Sequence, residues 1–104
     1  MTRIQPELWV EGASAAVAFY QAAFDAVLVH HVGHGDDIVA QLAVGTAEFW
    51  LSETSSDMKR FSPRALGGTT SRTLLIVDDP NAVLDQAVRA GASEIAPVNE
   101  ETAG

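Results

Sequence analysis

Apolar residues recur along this chain in two rhythms. Over Gln5–Val10, Val27–His31, Ile38–Val44 and Ala47–Ser52 they form short runs, many of them β-branched or aromatic, bounded by glycine, aspartate and threonine, which predicts four strands. Between the first two runs, Val17, Tyr20 and Phe24 share one face at helical spacing, and Ser14 stands where an N-cap hydroxyl would accept from the first turn. Glycine-rich turns at Gly33–Asp37 and Gly45–Thr46 separate the later strands. The order read from the pattern is βαβββ.

From Glu53 to Thr70 the composition shifts to Ser, Thr, Pro, Gly and charge, the marks of a connector. The pattern then restarts: Ser71–Val77 is β-rich, Asp79 is an N-cap before Pro80 at the first helical position, and a helix over Ala82–Ala90 closes at Gly91. Its buried stripe is expected to be Val83, Leu84, Ala87 and Val88. Setting Asp25 on Gly91 superposes the two halves at an offset of 66 residues. The domain therefore divides into module one (3–53), a connector (54–70) and a partial module two (71–104), whose remaining length holds one strand near Glu94–Val98 and lacks about two more. An unpaired sheet edge is the expected consequence.

Composition narrows the classes of function. The chain has 104 residues, enough for one domain, and no cysteine, which removes disulfides, thiolate metal sites and thiol nucleophiles. A formal net charge of −8 opposes nucleic-acid and anionic-membrane partners, which select clustered Lys and Arg, and favours cationic ligands. No apolar run approaches the ~18 residues of a membrane span and no signal pattern opens the chain, so a cytoplasmic protein is expected.

The helix Ala15–Phe24 with its Phe19–Tyr20 pair, the connector Ser62–Thr69, and Leu74–Pro80 preceding Ala87–Ala92 together resemble the glyoxalase/bleomycin resistance protein/extradiol dioxygenase superfamily, also called vicinal oxygen chelate. The likeness runs from residue 3 to about 97. It implies an α+β fold of paired βαβββ modules whose mainly antiparallel sheet forms an open cup, and it implies a homodimer. Some members of the superfamily hold a divalent metal in the cup, and others bind antibiotics without one.

Strand alternation places Gln5, Glu7 and Trp9 on one face and Pro6, Leu8 and Val10 on the other, and the helix is expected to cover the second set. Gln5 corresponds to a first metal ligand under the resemblance. The second position falls near Trp50 and the third near Arg72, whose guanidinium cannot ligate a cation. With one plausible ligand, no metal and no other cofactor is expected. The pocket is instead expected to be lined by Gln5, Glu7, Trp9, Gln41, Trp50 and Arg72, with Val39 and Ser52 nearby: aromatic walls and a few polar groups suited to a planar or cationic small molecule. The alternative for Trp9 and Trp50 is ordinary core. Glu7 is the one candidate general base, on condition that it is partly desolvated, or else an anchor for a cation; Arg72 either anchors an acidic ligand or pairs with Glu7.

Three other groupings carry less. His30, His31 and His34 with Asp36 and Asp37 are rich in metal-ligand types, but adjacent strand residues face opposite ways and the rest lies in a turn, so a solvated turn is expected. Ser56–Lys59 spells Ser-x-x-Lys without partner motifs. Gly67–Thr70 lacks the lysine and following helix of a phosphate loop. The expected function is metal-independent binding of a small organic molecule, of the antibiotic-resistance kind. The alternative is a metal-dependent glyoxalase-type lyase/isomerase or dioxygenase completed by a partner chain.

Overall fold

A computed structural model describes residues 1–98. Strands β1 (Glu7–Val10), β2 (Val27–Val32), β3 (Val39–Val44) and β4 (Ala47–Glu53) form one sheet in the order β1-β4-β3-β2. The β2–β3 and β3–β4 pairs are antiparallel, and β1 runs parallel to β4. A parallel pair needs a crossover. Helix α1 (Ala13–Phe24) begins that crossover and packs on one face of the sheet. The class is α+β, with a four-stranded, mainly antiparallel open sheet, as the pattern predicts.

The core lies between α1 and the sheet. Val17, Ala26, Ala40, Leu42 and Leu51 are buried there, with Leu8, Val10, Tyr20, Val44 and Phe49 packed around them. Leu42 and Leu51 alternate with Gln41 and Trp50, so each strand gives its apolar set to the helix and its polar-aromatic set to the other face.

The start of α1 differs from the expectation. Gly12, at φ +79°, is the N-cap, and Ser14 lies inside the helix. The carboxylate of Glu53, at the end of β4, accepts from the backbone N–H groups of Gly12 (3.0 Å) and Ala13 (2.9 Å). Because β1 and β4 are parallel with Val10 opposite Glu53, the end of β4 lies beside the turn that enters α1. An anion there satisfies orphan donors and meets the positive end of the helix dipole.

The second half departs further. Ser71–Val77 is not a strand: it has no ladder partner, and Leu74, Leu75 and Ile76 are exposed. Glu94–Val98 is also irregular, and the remaining polar tail lies outside the described residues. Extended sequence becomes strand only where another strand completes its hydrogen bonds, and the described residues of this chain bring none to either segment. Within the connector, Ser62 caps a short helix α2 (Pro63–Leu66) and donates to Glu11 at 2.7 Å. Helix α3 (Pro80–Arg89) forms as predicted, with Asp79 accepting from Ala82 N–H at 3.2 Å. Of its expected stripe only Ala87 is buried; Val83 and Leu84 are half-buried and Val88 is exposed. α3 packs on α1, where Gln86 donates to the Ala22 carbonyl and the Asp25 carboxylate. The residues aligned by the repeat, Asp25 (φ +55°) and Gly91 (φ +116°), both turn the chain out of a helix through positive φ.

Removing the Glu53 clasp by Glu53→Ala is expected to lower stability by about 1–2 kcal/mol in urea unfolding. Glu53→Gln, which keeps one acceptor oxygen, should lose less; equal stability of all three proteins would show that the clasp contributes nothing.

Candidate ligand-binding face

The sheet face opposite α1 gathers most of the residues the sequence singles out. Register places Glu7 and Gln41 on either side of Trp50, Trp9 and Val39 on either side of Ser52, and His30 beside Gln41. Just before β1, Gln5 is the hub: its Oε1 accepts from the Trp50 indole Nε1–H (2.8 Å) and from the Gln41 amide (3.1 Å). The Gln41 amide also donates to Glu48 (2.8 Å), and Glu48 pairs with Arg3 at 3.0 Å. On β1, the Trp9 indole N–H donates to the Glu7 carboxylate at 3.1 Å. Both indoles are thus tied in their ring planes, and their faces remain as contact surface. His30 meets Trp50 edge-on, with ring centroids 6.4 Å apart.

One residue of this face, Arg60, has no signal in the sequence pattern. Arg60 follows β4 in a tight turn closed by a bridge to Ser55, with backbone bonds of 2.9 and 2.8 Å. The turn places its guanidinium 5.9 Å from the centre of the Trp9 ring, within cation–π range. Glu48 joins the network through Gln41. A strand-alternation count finds Glu48 beside Trp50; nothing in the connector's composition points to Arg60.

Two of the expected site residues behave differently. Glu7 is exposed, so the desolvation that would make it a general base is absent, and its carboxylate is occupied by Trp9. Arg72 lies in the irregular stretch, exposed, and among the described residues it forms no ion pair with Glu7. A strand would have carried Arg72 to the sheet; without one it stays outside the network.

The donor set does not fit an ordinary divalent-metal site. Gln5 already accepts two hydrogen bonds, and Trp50 stands beside it where another ligand is needed. Among the described residues no group of three or more His, Cys, Asp or Glu side chains is placed to hold a metal ion. His30 and His31 pair with successive β3 residues and face opposite ways, and Asp36 and Asp37 lie in a 3₁₀ turn.

The enclosed space lies elsewhere. A cavity of about 590 Å³ opens on the α1 side, between the ends of α1 and β3, the start of β4, and the extended stretch Thr73–Leu75. Tyr20, Phe24, Phe49 and Leu8 form its walls.

No family model matches the sequence. Among curated proteins, the uncharacterized protein Mb0911c of Mycobacterium bovis is 32% identical over 106 residues, covering 97% of this chain and 70% of that protein. Rv0887c of Mycobacterium tuberculosis, also uncharacterized, is 32% identical over the same span, of which this chain covers 62% of the length. The chain belongs to the family of these mycobacterial proteins. Among solved structures, the Arabidopsis thaliana gene product AT5G48480 superposes with a TM-score of 0.75 at 28% identity, over 94% of this chain and 80% of that one. FosX, a fosfomycin resistance protein of Listeria monocytogenes solved as a mutant with Mn(II) and 1S,2S-dihydroxypropylphosphonic acid, superposes at 0.54 with 13% identity, over 94% of this chain and 74% of that one. The second likeness is one of fold alone. Among the described residues no helix is long and apolar enough to cross a membrane.

Tyr20, the one tyrosine, has its hydroxyl pKa raised from the ordinary 10.0 by burial. Tyrosinate absorbance should therefore titrate above 10.0 in the folded chain and near it in urea. Below pH ~10 both states hold the proton and stability is unaffected; above it the unfolded state releases its proton first, so stability should fall as pH rises toward the folded value. Coincident titrations in the two states would contradict the burial.

Proposed function

We propose that this chain is a metal-independent binding protein for a small, planar organic cation, using the sheet face that carries Trp9 and Trp50. The observation that carries this reading is Arg60 over Trp9: a planar cation already lies against the ring whose N–H is held by Glu7. A cationic aromatic molecule reproduces that contact, and each ring adds about 0.5–2 kcal/mol. The Gln5, Gln41 and Glu48 network holds Trp50 ready, which reduces the ordering cost of binding. The Glu7 carboxylate and the net charge of −8 add attraction for a cation.

The fold shared with FosX supplies no ligand identity. Under this reading the ligand is held rather than turned over, because the one candidate base, Glu7, is exposed and bound to Trp9. A second copy in a homodimer would cover the open face, and the working compartment is the cytoplasm.

Titration with N-methylquinolinium while following tryptophan emission tests the proposal. Saturable quenching is expected, with Arg60→Ala binding about fivefold more tightly because the ring face is vacated. Quenching that never saturates, or equal affinity for an uncharged naphthalene of the same shape, would contradict the cation reading. A stoichiometric divalent ion in the purified protein would contradict the metal-independent one.

A further inference from the structure

The geometry points to a second small-molecule site on the α1 side of the sheet, lined by Tyr20, Phe24 and Phe49 and strapped by Leu74 and Leu75, for an uncharged aromatic molecule bearing hydrogen-bonding groups. It opens on the opposite side of the sheet from the tryptophan rings, shares Gln5, Glu48 and Arg3 with the network behind Trp50, and does not rest on the function proposed for that face.

Size is the first argument. A close-packed interior leaves few voids larger than a water molecule, whereas ligand pockets run from about 300 to 1,000 Å³. At about 590 Å³ this cavity belongs with the second group. The walls are the second. Tyr20 meets Phe49 edge-to-face at 5.1 Å and Phe24 at a tilt at 5.8 Å, a corner of three rings that offers both faces and edges to a flat guest.

The polar groups define the rest of the ligand. The Tyr20 hydroxyl has no hydrogen-bond partner among the described residues and is not among the sealed polar atoms, so a guest can reach it. Arg3 and Glu48 also line the cavity, but they pair with each other at 3.0 Å, so neither demands a counter-ion. An ionised guest would meet apolar walls without compensation. Tyr20, Gln5, Thr46 and Thr73 supply neutral polar groups and the one ion pair is internally matched, which selects an uncharged molecule with hydrogen-bonding groups. The strap Thr73–Leu75 belongs to no strand, so it can shift over a guest without breaking a ladder.

The test is a titration of the full chain with 2-naphthol, followed by aromatic NMR signals of Tyr20, Phe24 and Phe49 together with the two indole N–H signals. The expected result is saturable shifts at the three rings, with the Trp9 indole moving little; the Trp50 indole, bonded to the lining residue Gln5, follows the rings. Ala47 is exposed and lines the cavity, so Ala47→Phe should place a ring in the space a guest needs, weaken the saturable shifts strongly and leave the melting temperature unchanged. Tyr20→Phe should weaken binding about fivefold through loss of one hydrogen bond. Shifts confined to the indoles, no saturation at any ring, or undiminished binding by a correctly folded Ala47→Phe variant would each overturn the site.

Discussion

The parallel ladder between β1 and β4 is the constraint on which the other features depend. It holds together residues more than forty positions apart, and everything between them must serve as the crossover. Its register sets Glu7 against Trp50 and Val10 against Glu53. A slip of one residue would send Leu8 to solvent and Trp9 into the core, reversing both faces at once. The same register brings the end of β4 to the start of α1, where Glu53 supplies the acceptors that Gly12 and Ala13 need. One pairing thus fixes the helix, the core beneath it and the face above.

The two faces of the sheet carry different chemistry. Toward α1, Leu42 and Leu51 are fully buried among aliphatic and aromatic neighbours. On the other side the side chains hold one another by hydrogen bonds: Gln5 joins Trp50 and Gln41, Gln41 joins Glu48, and Glu48 joins Arg3. Such a chain positions flat rings without burying them completely, an arrangement suited to receiving a ligand. Ser52 is the exception on this face: it is buried between Trp9 and Val39, and its hydroxyl has no hydrogen-bond partner among the described residues. A buried unmade hydrogen bond of that kind costs about 1–3 kcal/mol, and nothing in the structure explains its presence.

Much of this was legible from the chain. Alternation in β1, β3 and β4 separates core from face correctly, because a period of two has only two outcomes once α1 is placed. Asp79–Pro80 and Gly91 mark α3 because capping chemistry is local. The failures share a cause in non-local structure. Ser71–Val77 has strand composition, but composition cannot supply a ladder, and Arg72 left the site with that strand. The α1 cap comes from Glu53, forty residues away, rather than from the adjacent Ser14. Arg60 reaches Trp9 through a turn whose closure depends on its bridge to Ser55.

The account rests on Gln5 holding Trp50 in place across the β1–β4 pairing, and a double-mutant cycle measures that coupling directly. Unfolding free energies of the parent chain, Gln5→Ala, Trp50→Phe and the double variant isolate the pairwise term. A coupling of about 1 kcal/mol is predicted, the usual net value of a partly buried hydrogen bond. Additivity within error would mean that the two side chains are independent and that the face is not pre-organised.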